Sequence, residues 1–181
     1  EILSGLVGSE MCIRDRHLIA LCGDHGMPEV QAAGLLAIMG IFDLFGTTAS
    51  GWLTDRYDPR KLLFVYYALR GLALIYLPYS DFSFYSLAIF AVFFGLDWIA
   101  TVPPTLRLAT EAFGDREAPI VFGWIVAGHQ LGAASAAWMA GLVRESQGSY
   151  LMAFVAAGAT GLIAAVIALL IGRERVVAQP A

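Results

Sequence analysis

Three charged side chains stand inside long apolar runs of this sequence, where an unpaired charge is costly. Asp43, Arg70 and Asp97 each interrupt a different run. An ionised side chain at the centre of a hydrocarbon layer costs about 2.5–3.5 kcal/mol, so such groups pair with one another or line a polar path. The sequence therefore predicts that Arg70 pairs with Asp43 or with Asp97.

Such charges support two interpretations. In the first, a desolvated carboxylate such as Asp97 exchanges protons beside a movable cation and binds a charged solute along a translocation path. In the second, an ion pair only neutralises charge between packed helices. We favour the first interpretation for Asp97, and the two are balanced at Asp43.

His129 adds a titratable group to a fourth apolar run that has no formal charge. Histidine titrates near physiological pH, so His129 is a candidate proton relay. A hydrogen bond between helices is the alternative, and we favour it. Gly128 and Gly132 flank the histidine with the spacing that predicts close helix contact.

The sequence shows no arrangement that indicates an enzyme. We find no nucleophile beside a base, no metal-ligand cluster, no phosphate loop and no dinucleotide fingerprint, and we predict neither a cofactor nor a metal. The 11 basic and 15 acidic residues give a net charge of −4, with no basic patch. This balance argues against nucleic-acid binding.

Composition identifies the elements that must position these side chains. Of 181 residues, 59% are hydrophobic and 14% are charged, whereas a soluble domain has roughly 25% charged residues. The chain is therefore predicted to be an all-α integral membrane protein, because helices satisfy their own backbone in lipid. Five runs are each long enough to cross a bilayer: 28–53, 62–79, 82–106, 119–143 and 149–172.

Basic residues predict the orientation of these five spans. Seven of them fall in connections on one side, which the positive-inside rule places in the cytoplasm: Arg56, Arg60, Lys61, Arg107, Arg116, Arg173 and Arg175. The opposite side carries Arg144. We therefore expect a multi-pass protein of the cell (plasma or inner) membrane whose C-terminus is cytoplasmic.

The same topology requires a helix before residue 23, of which His17–Cys22 is expected to be the outer end. The preceding Ser9–Arg16 segment reads SEMCIRDR, which is too polar to cross a bilayer and resembles a translated sequencing-adapter read. We therefore expect residues 1–16 to be non-native. A genuine charged segment before the span is the alternative.

The connection between the first two spans carries the strongest local motif. It reads GWLTDRYDPRK from Gly51 to Lys61. Glycine allows close approach of a neighbouring helix, a carboxylate suits the positive N-terminus of an adjacent helix, and Asp-Pro forms a turn. The motif residues are Gly51, Asp55, Arg56, Arg60 and Lys61.

This loop resembles the cytoplasmic gating-loop motif of the major facilitator superfamily, although Asp58 stands where that family usually has glycine. The runs AAGLLAIMGIFDLFGTTASGWLTDRYD, FGLDWIATVPPTLRLATEAFG and GWIVAGHQLGAASAAWMAG resemble the bacterial monocarboxylate and oxalate–formate carrier branch. The resemblance implies that residues 17–181 are the C-terminal six-helix bundle of the fold, with a truncated first helix and five complete transmembrane helices.

The resemblance also ranks the candidate residues. The five spans correspond, by the resemblance, to helices eight to twelve of the family. In the family, the tenth helix borders the central cavity, which favours Asp97, and the ninth is usually peripheral, which counts against Arg70 as a direct ligand. The family's eighth helix carries a carboxylate signature, an Asp with an Arg four residues later. This signature is not matched, because the residue four positions after Asp43 is Thr47. Pro103 and Pro104 end or kink the third span and are hinge candidates.

The function that we predict is secondary active transport of a small solute by alternating access. An organic anion moving with protons is one candidate cargo, by symport or antiport. Expected partners are the lipid bilayer, the small-molecule substrate and the N-terminal half of the same transporter. Two alternatives stay open: a non-transporting membrane scaffold or assembly subunit, and an exporter of amphipathic compounds.

Overall fold

All regular structure in the described part of the chain is helical, which confirms the predicted all-α class. The computed structural model describes residues 22–23, 26–148 and 150–172. Its helices are α1 (Glu29–Thr54), α2 (Pro59–Tyr76), α3 (Phe84–Asp97), α4 (Val102–Gln147) and α5 (Leu151–Leu170), with a short 3-10 helix at Leu77–Tyr79. The expectations about residues 1–16, about most of His17–Cys22, and about Arg173 and Arg175 lie outside the described residues.

Local sequence accounts for where these helices begin and end. The Asp58 carboxylate accepts a hydrogen bond from the Arg60 N–H at 3.0 Å, and Pro59 occupies the first turn of α2. Ser83 caps α3 in the same way, accepting from the Ser86 N–H at 3.3 Å. These are favoured N-terminal residues, because they satisfy or remove donors that the first turn leaves unpaired. Asp58 therefore keeps the tight turn that the motif requires.

Between the predicted third and fourth spans, two helices join across a kink at Gly114, and a second interruption lies inside the predicted third span. Helix α3 ends at Asp97, a four-residue turn follows at 98–101, and α4 then continues for 46 residues. Gly114 interrupts α4 with φ 79° and ψ 164°, a left-handed conformation that glycine adopts without steric cost. Unkinked, α4 would be about 70 Å long, more than twice a hydrocarbon core of about 30 Å.

Within the residues that the structure describes, four helical stretches are long and apolar enough to cross a membrane by length and composition. They are Glu29–Thr54, Pro59–Tyr79, Phe84–Gln147 and Leu151–Leu170. The third is 64 residues long and includes the interruptions at 98–101 and at Gly114. At 1.5 Å per residue its parts add up to about 96 Å, enough for the two predicted crossings and the connection between them. Large apolar side chains lie exposed along these helices, among them Leu44, Trp124 and Leu170, each more than 70% accessible, as lipid-facing residues are.

The helices pack mainly as two pairs, α1 with α3 and α2 with α5. In the first pair, a Cβ atom on Gly46 would overlap the Leu96 backbone, and one on Gly95 would lie 2.6 Å from the Met39 carbonyl oxygen. In the second pair, a Cβ on Gly71 would lie 2.7 Å from the Gly158 carbonyl oxygen. Both pairs are therefore in backbone contact, as expected where lipid gives no hydrophobic drive for helix association.

Two predicted close contacts are placed elsewhere by the structure. Among the described residues, no atom of a neighbouring helix lies within 4 Å of a Cβ built on Gly51, Gly128 or Gly132. Gly51 follows Ser50, whose side chain is fully buried, and one residue turns a helix by about 100°. The face of α1 that meets α3 is therefore the one that carries Gly46, and the close-approach role falls on Gly46 and Gly95.

Candidate functional site

The charged residues of the apolar runs meet where α3 ends. The Arg70 Nε atom, on α2, lies 3.0 Å from the Asp97 Oδ2 atom at the last position of α3. Their side chains are 17% and 5% exposed, so this ion pair is buried. Of the two partners predicted for Arg70, the structure selects Asp97.

Arg70 also binds the main chain at the same point. Its Nη2 atom donates to the carbonyl oxygens of Asp97 and Trp98, the latter at 3.0 Å. The rings of Tyr67 and Trp98 lie 5.8 and 5.9 Å from the guanidinium carbon, within cation–π range. A planar group with five donors suits this set of acceptors, which a lysine ammonium would not match.

The second oxygen of the Asp97 carboxylate is not bonded by Arg70. Its Oδ1 atom is buried and has no hydrogen-bond partner among the described residues. Buried carboxylate oxygens are normally hydrogen-bonded, because an unsatisfied polar atom costs about 1–3 kcal/mol. This acceptor is therefore available to a proton or to a group that enters the site.

Asp43 reaches the same region from α1 but does not pair with Arg70. Its Oδ1 atom accepts a hydrogen bond from the Ile99 N–H at 3.0 Å and lies 3.4 Å from the Thr47 hydroxyl. Thr47, which stands where the carboxylate signature has an arginine, is thus a neutral partner of Asp43. The carboxylate therefore accepts from a main-chain N–H in the turn that follows α3.

A cavity of about 410 Å³ opens between α2 and α3 beside the ion pair. Arg70 and Asp97 contribute to its wall, and the remainder is apolar or aromatic, including Tyr66, Tyr76 and Phe93. Asp43 is not part of this wall. The cavity thus combines one buried charge pair with a lining suited to an apolar body.

His129 is not brought to this site. Its side chain is exposed on the part of α4 that follows Gly114, and it does not line the cavity. The four candidates for the substrate and proton path therefore divide into a cluster of three and a separate histidine.

The two hinge candidates lie at a helix start. Pro103 and Pro104 occupy the first turn of α4, where a missing N–H is tolerated. The sequence predicted that the prolines themselves would kink or end the third span. The structure places the interruption just upstream, at 98–101, because the lost donors would have bonded to carbonyls in that turn.

The gating-loop motif is held by contacts with distant helices. Arg107 Nη1 donates to the Thr54 carbonyl at 2.9 Å and lies 3.4 Å from the Asp55 carboxylate, while its Nε contacts Glu111 at 3.1 Å. Asp55 was expected to meet a helix N-terminus, and its side-chain partner is instead Arg107. The loop is thereby attached to the first turns of α4.

The basic residues of the motif have separate roles. Arg60 Nη1 donates to the Ile171 carbonyl at 2.9 Å and thus caps the end of α5. The Arg56 guanidinium lies 3.8 Å from the centre of the Trp52 ring, and the Lys61 side chain is exposed. The motif therefore joins α1, α2 and α5 at one end of the described helices.

Sequence reasoning missed Ser50 and the function of Arg107 as a connector. Ser50 is fully buried, and its hydroxyl donates to the Ala100 carbonyl. A serine one turn after Gly46, on the face that packs on α3, was the available signal. For Arg107, the signal was a carboxylate, Glu111, four residues later on the same helix.

The sequence of this chain matches a family model and several known proteins. The model of the Major Facilitator Superfamily matches residues 18–181. The chain is 32% identical over 145 residues to Monocarboxylate transporter 13 of Rattus norvegicus, covering 79% of this chain and 34% of that protein. It is 31% identical over 137 residues to Monocarboxylate transporter 12 of the same species, covering 74% and 28%.

A bacterial relative gives a similar match. The chain is 27% identical over 153 residues to the Uncharacterized MFS-type transporter YcxA of Bacillus subtilis (strain 168), covering 80% of this chain and 36% of that protein. The chain thus spans about a third of the length of the curated relatives it matches.

Proposed function

The chain belongs to the major facilitator superfamily, and on that premise we propose that it is part of a secondary transporter that carries a small solute by alternating access. The observation that carries this proposal is the buried Arg70–Asp97 pair beside a cavity of about 410 Å³. Pockets for small molecules have volumes of about 300–1,000 Å³. Ionisable pairs inside membrane helices commonly mark the path of a substrate or of a proton.

The cargo is proposed to be a small organic anion that moves with a proton. A proton that binds Asp97 neutralises the carboxylate and removes the charge that holds the Arg70 guanidinium. The guanidinium can then bind the carboxylate of a solute in the cavity. The aromatic wall contacts the apolar part of the same solute. The names of the mammalian relatives, monocarboxylate transporters, agree with this cargo.

The chain is proposed to work with the N-terminal half of the same transporter. Sites of this kind lie near the bilayer midplane, between two repeats that rock against each other. Residues 17–181 would form the C-terminal bundle with five complete spans, and Arg144 would lie on the outer side. The C-terminus would face the cytoplasm of a plasma or inner membrane.

Solute counterflow with the full-length protein in proteoliposomes tests the transport proposal. We expect exchange of short-chain monocarboxylates to depend on Asp97, so that Asp97→Asn at matched expression loses pH-dependent uptake. Asp115→Asn is the matched control, because Asp115 is exposed and lies outside the cavity wall. Wild-type uptake and pH dependence in Asp97→Asn would remove Asp97 from the coupling role.

One feature favours a second candidate function, the export of amphipathic compounds. Most of the cavity wall is apolar and aromatic, which suits a hydrophobic cargo without a carboxylate. The two candidates differ in their need for Arg70. Anion exchange would be lost in Arg70→Gln, whereas export of a neutral amphipathic dye would persist. Absence of both activities in the wild-type protein would favour a scaffold.

A further inference from the structure

The turn at 98–101 has lost main-chain hydrogen bonds that a continuous helix would make. Pro103 and Pro104 have no N–H, so neither can donate to the carbonyls of Ile99 and Ala100 four residues earlier. The Val102 N–H bonds to the Ile99 carbonyl at 2.9 Å, three residues earlier rather than the four of an α-helix. Inside a bilayer, each unsatisfied group costs several kcal/mol.

Side chains from two other helices bond to the main chain of this interrupted stretch. Arg70 donates to the Asp97 and Trp98 carbonyls, Ser50 donates to the Ala100 carbonyl, and Asp43 accepts from the Ile99 N–H. Three polar residues of α1 and α2 therefore hydrogen-bond to one interrupted stretch of main chain.

The contacts from α1 have a fixed geometric basis. Gly46 lies against the Leu96 backbone, and Gly95 lies against Met39. This close approach places the α1 backbone within reach of the turn for side chains as short as those of serine and aspartate. Gly46 lies between Asp43 and Ser50 in the chain, so the α1 contacts flank the point where the two backbones meet.

We propose that Asp43 and Ser50 are positioning residues, which hold the turn after α3 and thereby set the Asp97 carboxylate against Arg70. They act through the main chain at Ile99 and Ala100 and bind neither the solute nor the coupled proton. This inference rests on the proposed function only in the effect that it expects on uptake. Whether Asp43 and Ser50 hold the turn does not depend on which solute is carried.

The substitution of Asp43 separates this role from that of a charged ligand. In Asp43→Asn, the amide oxygen still accepts from the Ile99 N–H, although the charge is gone. In Asp43→Leu, a side chain of similar size has no acceptor. If Asp43 is a positioning residue, Asp43→Asn should keep uptake and Asp43→Leu should reduce it. If Asp43 binds the proton or the solute, both variants should lose uptake.

Hydrogen–deuterium exchange of the full-length protein in nanodiscs measures the turn directly. We expect the amides of segment 95–102 to exchange about tenfold faster in Asp43→Leu, which is the scale of one lost buried hydrogen bond. Asp43→Asn should stay within about twofold of wild type. Ser50→Ala should accelerate the same segment, and Ser135→Ala is its control, because that hydroxyl bonds the Leu131 carbonyl of its own helix.

Uptake measured on the same proteins completes the test. Asp43→Asn should retain wild-type uptake, while Asp43→Leu and Ser50→Ala should reduce it by about tenfold. Loss of uptake in Asp43→Asn with unchanged exchange would overturn the inference, as would unchanged exchange in Asp43→Leu. If the wild-type protein transports none of the solutes, the proposed function fails, and the exchange data still decide whether these residues position the turn.

Discussion

At the scale of single residues, the scarce polar groups of the apolar helices share one location. Arg70, Asp97, Asp43 and Ser50 come from three helices and meet at the end of α3. Most of their hydrogen bonds go to main-chain atoms. Arg70 thus bonds to an interrupted backbone and also belongs to the proposed transport site.

The guanidinium of Arg70 is expected to be irreplaceable by lysine. Arg70→Lys keeps the charge opposite Asp97 but lacks the planar donors that reach two carbonyls as well. We expect reduced uptake in Arg70→Lys, and in Arg70→Gln a loss of stability of about 3 kcal/mol from the uncompensated buried carboxylate. Thermal unfolding and uptake of the full-length protein measure both effects.

Arg116→Lys and Arg116→Gln are the matched controls, because Arg116 is exposed. Both should behave as wild type. Full uptake in Arg70→Lys would show that charge alone suffices, and the role assigned to the guanidinium donors at the Asp97 and Trp98 carbonyls would be wrong.

At the scale of elements, glycine contacts fix how the helices pair. We expect Gly46→Ala to lower the thermal stability of the full-length protein, because the new Cβ would overlap the Leu96 backbone. Gly40→Ala on the same helix has nothing within 4 Å, and alanine is the better helix former by about 1 kcal/mol. Gly40→Ala should therefore be neutral or stabilising. Equal melting temperatures for both variants would contradict this packing.

The N-terminal turn of α3 is expected to respond to acid. Hydrogen bonds from the Ser83 N–H and hydroxyl lower the pKa of Asp81, in the loop before α3, below its usual value of 3.8. A carboxyl with a lowered folded-state pKa contributes stability above its unfolded pKa, and that contribution is lost as pH falls through the folded value. The turn should therefore be unaffected from pH 7 to 5 and should loosen below 3.8.

Hydrogen exchange of segment 81–87, corrected for the intrinsic pH dependence of exchange, checks this response. In Asp81→Asn, the group no longer titrates, so the acid-dependent change should be absent. An identical acid response in wild type and variant would assign it to another group.

At the scale of the whole molecule, the basic residues between the predicted spans are expected to set its orientation. In a cysteine-free version of the full-length protein, Asp58→Cys should react with an impermeant maleimide only from the cytoplasmic side. Asp81→Cys should react only from the outside. The basic residues of the Gly51–Lys61 loop provide the reason, since such loops stay in the cytoplasm. Labelling of both positions from the same side would overturn the proposed topology.

Much of this architecture followed from local sequence. The apolar runs required helices, because lipid leaves the backbone no other partner, and the Gly51–Lys61 motif indicated the superfamily that residues 18–181 match. The three charges within those runs identified the region of the candidate site. Each of these inferences depends on residues that are close together in the chain, or on composition.

The tertiary structure decided which of these residues meet. Arg70 lies 27 residues from both possible partners, Asp43 before it and Asp97 after it, so spacing along the chain gave no preference between them. The choice depends on the relative rotation and depth of α1, α2 and α3, which are set by glycine contacts such as Gly46 with Leu96. In lipid, close packing and hydrogen bonds between helices determine that register, and they are properties of the assembled bundle.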